Sequence, residues 1–119
     1  MSAGAEDILQ MQAVRFLRLA APDCLFWHCP NGGSRHPGEA RKFRDMGVLA
    51  GVADLCFVLP DGRAAFIELM TDKGRQQPAQ AAFAEACAKF GAPYAVCRSL
   101  VAVVATLEGW GVRLAGRVS

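Results

Sequence analysis

The sequence predicts an α/β sandwich around a small mixed sheet, with its elements in the order α-β-α-β-β-α-β-α. Three observations predict it. Residues 6–20 repeat apolar side chains at three- and four-residue spacing, as one face of a helix does. Two short runs rich in β-branched and aromatic residues, 52–59 and 64–70, flank Pro60-Asp61-Gly62-Arg63. There proline presets φ and glycine takes a positive φ freely, so the runs read as a hairpin. A helix opened by Pro78 and stopped by Gly91-Ala92-Pro93 then leads into another apolar run, 94–98.

The first helix spans residues 6–20, with Ile8, Leu9, Met11, Val14, Leu17 and Leu19 in its apolar repeat and Arg15 and Arg18 free to face out. Pro22 and Asp23 end it. Glu6 and Gln10 lie one turn apart on one face, and an acid in a first turn suits the helix dipole. Residues 24–28 read as a short buried strand running into Cys29-Pro30-Asn31-Gly32-Gly33-Ser34-Arg35. Such a loop exposes backbone N–H groups to a phosphate, although an ordinary connection explains it as well. It lacks a P-loop's lysine and spacing, so no nucleotide cofactor is expected. Residues 37–46 form a short basic helix with Gly47 as its cap. Its Arg41, Lys42 and Arg44 make either a phosphate-contacting patch with Arg35 or a solvated face. After the hairpin, Gln77 is a poor cap for the helix that Pro78 opens, while Gln80 suits its N3 position. A closing apolar helix follows from residue 101, and residues 110–114 read as a short edge strand.

The 119 residues make one domain, 1–119. A hydrophobic fraction of 53% and a mean hydropathy of +0.22 are high for this size, which leads us to expect self-association. The net charge of +2 gives no global basic field, so any nucleic-acid binding must use clustered cations. Five cysteines without framework spacing read as reduced thiols in a cytosolic compartment, their role that of small buried hydrophobes. Cys24, His28, Cys29 and His36 lie close in sequence but fit no familiar zinc spacing. No run approaches the roughly 20 apolar residues of a membrane span, and no signal-peptide pattern opens the chain.

The chemistry concentrates in the hairpin. If its turn centres near Asp61, paired positions sum to about 122, which sets Asp54 opposite Glu68, or one residue off if the loop is longer by one, with both acids on one face. Two carboxylates side by side in an apolar strand pair are costly unless compensated. A divalent cation compensates them, and hard oxygen ligands suit Mg²⁺ or Mn²⁺. An acid at a strand end in water and a second paired with arginine would account for the pair too.

Asp54 followed by Glu68-Leu69-Met70 after a hairpin resembles the metal-binding core of the PD-(D/E)xK nucleases. His28-Cys29-Pro30-Asn31-Gly32-Gly33, Glu39-Ala40, Met46-Gly47-Val48 and Ala50-Gly51-Val52-Ala53-Asp54-Leu55 resemble the virus-type replication-repair nuclease domain, VRR-NUC. Phe66-Ile67-Glu68-Leu69, Lys73-Gly74 and Pro78-Ala79-Gln80 extend the likeness over nearly the whole chain. The resemblance implies a restriction-endonuclease-like sandwich holding one or two Mg²⁺ or Mn²⁺ ions on Asp54, Glu68 and the backbone carbonyl of Leu69, with Glu6 as a further ligand. It implies Gln80 at the active site, and DNA contacts from Asn31, Arg35, His36, Arg41, Lys42, Arg44 and Lys73. It also implies branched or junction DNA as partner, a homodimer like the four-way-junction resolvases, and the cytoplasm of a bacterial or phage-infected cell.

One position departs. The family motif ends in a lysine that orients the attacking water, and here that position is Met70. Methionine keeps the length and deletes the charge; losing one such group costs about 10²–10³ in rate. The expectation is a metal-dependent DNA endonuclease with crippled chemistry. A non-catalytic branched-DNA-binding module is the alternative, and a small structural or partner-binding domain a third. Lys73 is the nearest replacement, but an offset of three points it to the opposite face if the strand continues.

Overall fold

A computed structural model describes residues 4–30 and 37–115. The elements are α1 (Ala5–Ala20), β1 (Leu25–His28), α2 (Pro37–Asp45), β2 (Leu55–Val58), β3 (Ala64–Leu69), α3 (Pro78–Phe90), β4 (Tyr94–Cys97) and α4 (Leu100–Gly109). The order is the expected one. The four strands lie in chain order, with β1–β2 and β2–β3 antiparallel and β3–β4 parallel, so the sheet is mixed.

Alternation along the strands separates two layers. One face of the sheet carries Leu55, Phe57, Ala65, Ile67 and Leu69, all buried against Leu9, Ala13 and Leu17 of α1 and Val103 and Leu107 of α4. The other face carries Phe66 and Glu68, and α3 covers this side. Phe83 of α3 packs edge-on against Phe66 at 4.9 Å between ring centres and against Tyr94 at 6.1 Å. Helix α3 opens on Pro78 and closes at Gly91, whose φ of 76° lets its N–H and that of Ala92 return to the carbonyls of the last turn.

Four expectations need correction. Strand β1 is an edge strand and largely exposed, with Leu25 at 64% and Trp27 at 46%, because only Phe26 turns toward the core. The buried stripe of α1 is Leu9, Ala13, Leu17 and Ala20; Ile8, Met11 and Leu19 are exposed. Alanines can line a close helix–sheet contact that larger side chains would hold apart, so the small residues take the buried side. Residues 110–114 form no strand: Trp110 and Gly111 turn back on α4, and Val112 and Leu114 pack on the core from an irregular segment. The cysteines are all free, but only Cys56, Cys87 and Cys97 are buried. Helix α2 is exposed along residues 38–45 apart from the half-buried Phe43. Among the described residues no helix is long and apolar enough to cross a membrane.

Candidate metal centre

The hairpin register places the acids. Gly62, at φ 91°, donates its N–H to the Leu59 carbonyl at 2.8 Å, and Leu59 N–H donates to Arg63 at 2.9 Å. This is a three-residue loop centred on Asp61. The pairs that follow are Val58 with Ala64, Phe57 with Ala65, Cys56 with Phe66 and Leu55 with Ile67, each summing to 122. One step further lie Asp54 and Glu68, on the α3 side of the sheet.

Asp54 is held by both its backbone and its side chain. Its Oδ2 accepts from Leu69 N–H at 2.7 Å. Its carbonyl accepts from His28 Nδ1–H at 2.6 Å and from Cys29 N–H at 3.2 Å. A carbonyl has no proton to give, so His28 carries its own on Nδ1. Glu68 is 2% exposed. Its Oε1 accepts from Gln80 Nε2–H at 3.0 Å, while Oε2 is buried with no partner among the described residues. Gln80 in turn accepts from Gln77 N–H through Oε1 at 2.7 Å, so one amide closes the start of α3 and binds the acid. Gln77 and Gln80 thus form a reciprocal capping box, so Gln77 caps the helix better than its residue type suggests. Glu6 reaches the cluster from the first turn of α1, and one oxygen from each of Glu6, Asp54 and Glu68 lies within 4.8 Å of the others.

Three acids at this spacing resist full ionisation. Burial first, then the neighbouring Asp54 and Glu6, push Glu68 up to about 9 against the opposing Gln80 hydrogen bond. Glu6 is raised as well, by burial and then by Asp54 and Asp7. A divalent cation would reverse both effects. The fit is supported by the orphaned buried oxygen of Glu68 and by a donor set made wholly of carboxylate oxygens. The Leu69 N–H on Asp54 puts its backbone within the same cluster.

Gly51 locks the approach to this site. Its φ is +83°, and a Cβ there would collide with the Ala79 carbonyl at the start of α3. The loop before Asp54 and the helix that presents Gln80 are thus seated on one another.

Met70 is buried at 3% exposure, on the Glu68 side by alternation, with its N–H on the Cys97 carbonyl at 3.0 Å. Lys73 is exposed in a turn after the strand has ended, so the parity argument against it does not apply. That turn is held by Arg98, whose guanidinium donates to the carbonyls of Thr71 at 2.5 Å and Gly74 at 2.9 Å. Arg41, Lys42 and Arg44 are exposed on α2. Asn31, Arg35 and His36 lie outside the described residues. Cys24 and Cys29 stand at opposite ends of the extended β1, roughly 16 Å apart at strand rise, too far to share an ion. The His28 and Gly51 contacts were not foreseen: each joins segments distant in sequence, and only the word His28-Cys29-Pro30 marked the place.

The fold is a small α/β domain that gathers the three carboxylates of Glu6, Asp54 and Glu68 at one place. The VRR-NUC domain model matches residues 9–100, and the chain belongs to that family. The family is one of nucleases, which makes DNA the partner at that level. Two solved structures share the fold. One described as a VRR_NUC domain protein is 22% identical, with a TM-score of 0.68 over 92% of this chain and 90% of that one. Another, described as a VRR_NUC domain, is 24% identical, with a TM-score of 0.61 over 91% and 99%. No curated protein sequence matches the chain.

Proposed function

We propose that this chain is a structure-selective DNA endonuclease domain that holds Mg²⁺ or Mn²⁺ on Asp54, Glu68, the Leu69 carbonyl and Glu6, with its chemistry crippled by Met70. The observation that carries the reading is the buried Glu68, one of whose carboxylate oxygens lies within 4.8 Å of an oxygen from each of Glu6 and Asp54. When bound, the ion supplies Lewis acidity at the phosphodiester and lowers the pKa of water. The protein's own part is positioning. Leu69 N–H and the His28 clamp fix Asp54, and Gln80 fixes Glu68. The cluster lies at the end of the β2–β3 hairpin away from its turn. Met70 gives packing where the family's lysine would give charge.

A homodimer acting on branched or junction DNA fits the exposed Leu25 and Trp27 on the edge strand β1, which offer apolar surface for a second copy. The buried, charge-free Met70 favours a second reading, a branched-DNA-binding module that retains the fold without cleavage.

The test is Mn²⁺ titration by calorimetry on this protein and on Asp54→Ala. Heat that vanishes in the variant supports the site. No heat in either defeats the metal reading and leaves the binding module ahead.

A further inference from the structure

An open groove of about 550 Å³ runs along α1 beside the end of β1, outside the acid cluster. Its floor is apolar, made by Met11, Val14 and Leu19, which recur every three to five residues on one face of the helix. Arg15 and Arg18 line the same groove, and no acidic residue does among the described residues. Gln10 and His28 complete the lining. Both tie the groove to the cluster: Gln10 is one helical turn from Glu6, and His28 is bonded to the Asp54 carbonyl. Gln10 Nε2 is buried with no acceptor among the described residues.

We propose that this groove receives the unpaired strand of a branched DNA substrate, with bases against Met11, Val14 and Leu19 and phosphates on Arg15 and Arg18. The inference rests on the nuclease reading above and names the part of the substrate that reading leaves open. Its occupant is anionic because the charged lining is wholly cationic among the described residues. It is single-stranded because a duplex hides its apolar base faces, whereas an unstacked strand offers them to an apolar floor. Arginine serves both needs, since its guanidinium forks onto phosphate and stacks on bases. The groove would then lead one strand, rather than a helix, toward Glu6 and Asp54.

The experiment is fluorescence anisotropy without added metal, using a labelled duplex with a thymidine tail of about ten nucleotides and the same duplex blunt-ended. Wild type and Arg15→Ala/Arg18→Ala are compared; both arginines are exposed, and alanine keeps the helix. Wild type is expected to prefer the tailed duplex by roughly tenfold or more. The double variant is expected to lose that preference. Its salt slope should fall by about 1.4, or about 0.7 for each lost phosphate contact. Its Mn²⁺ heat should be unchanged. If Mn²⁺ heat is present but the tail preference is absent, or survives in the double variant, the groove proposal fails and the metal reading stands. If neither Mn²⁺ nor any DNA binds, both fail. Sedimentation adds one further outcome: a dimer dissociated by Met11→Glu, with tail preference intact, would make the groove a contact between copies and overturn its assignment to DNA.

Discussion

The two sides of strand β3 differ more than any two separate elements of the molecule. Ala65, Ile67 and Leu69 are fully buried and face a dry layer built by α1 and α4. Phe66, Glu68 and Met70 face α3, and there an aromatic cluster gives way within two residues to a buried acid. The first side is satisfied by dispersion and burial alone. The second is electrostatically incomplete, with a raised Glu68 and one of its oxygens lacking a partner among the described residues. A single strand thus carries the stability of the fold on one side and its unfinished chemistry on the other.

Substitutions on the two sides should therefore report in different assays. The largest effect is expected from Met70→Lys on the acid side, which should raise Mn²⁺-dependent cleavage of branched DNA by about 10²–10³. Product on a denaturing gel checks it, and an inert variant that still binds Mn²⁺ would strengthen the binding-module reading. Ile67→Ala on the dry side should cost about 3 kcal/mol in urea unfolding, while the folded fraction keeps its Mn²⁺ heat. Gly51→Ala should cost about 2 kcal/mol through its left-handed backbone and its collision with Ala79, and, unlike Ile67→Ala, should also weaken Mn²⁺ binding. Gln80→Ala should cost about 1 kcal/mol and push Glu68 further up, because the Gln80 hydrogen bond favours the carboxylate.

Acidity sharpens the same contrast. Glu68 is raised from an ordinary value of 4.5 to about 9, so the metal-free fold prefers it protonated. Its contribution to stability is fully present below about 4.5 and is lost as pH rises toward about 9. Urea midpoints of the metal-free protein should therefore fall across that window, and Glu68→Gln should flatten the fall. Saturating Mn²⁺ should oppose it, since the ion competes with the proton.

Much of this was legible in the chain because it depends on local rules. The Pro60-Asp61-Gly62-Arg63 turn set the loop length, and a period of two then carried the register from Leu59–Arg63 to Asp54–Glu68. The Gln80 contact followed from helix-start chemistry, since N3 looks back toward the cap. Strand β1 misled because Leu, Phe and Trp read as buried, whereas an edge position leaves two of the three exposed. Residues 110–114 misled because an apolar irregular segment can pack on a core without pairing. His28 on Asp54 and Gly51 on Ala79 are meetings across 26 and 28 positions, and no local pattern encodes them.

Gln80 has one amide and two tasks that need opposite ends of it: its oxygen takes the Gln77 N–H while its nitrogen gives to Glu68. The amide therefore cannot flip without placing donor against donor and acceptor against acceptor. Any event that alters the Glu68 carboxyl, whether proton or ion, is passed through this rigid plane to the opening turn of α3. Deuterium uptake at the Gln77 amide should then track the state of the acid, making the first turn of a structural helix the gauge of what the centre holds.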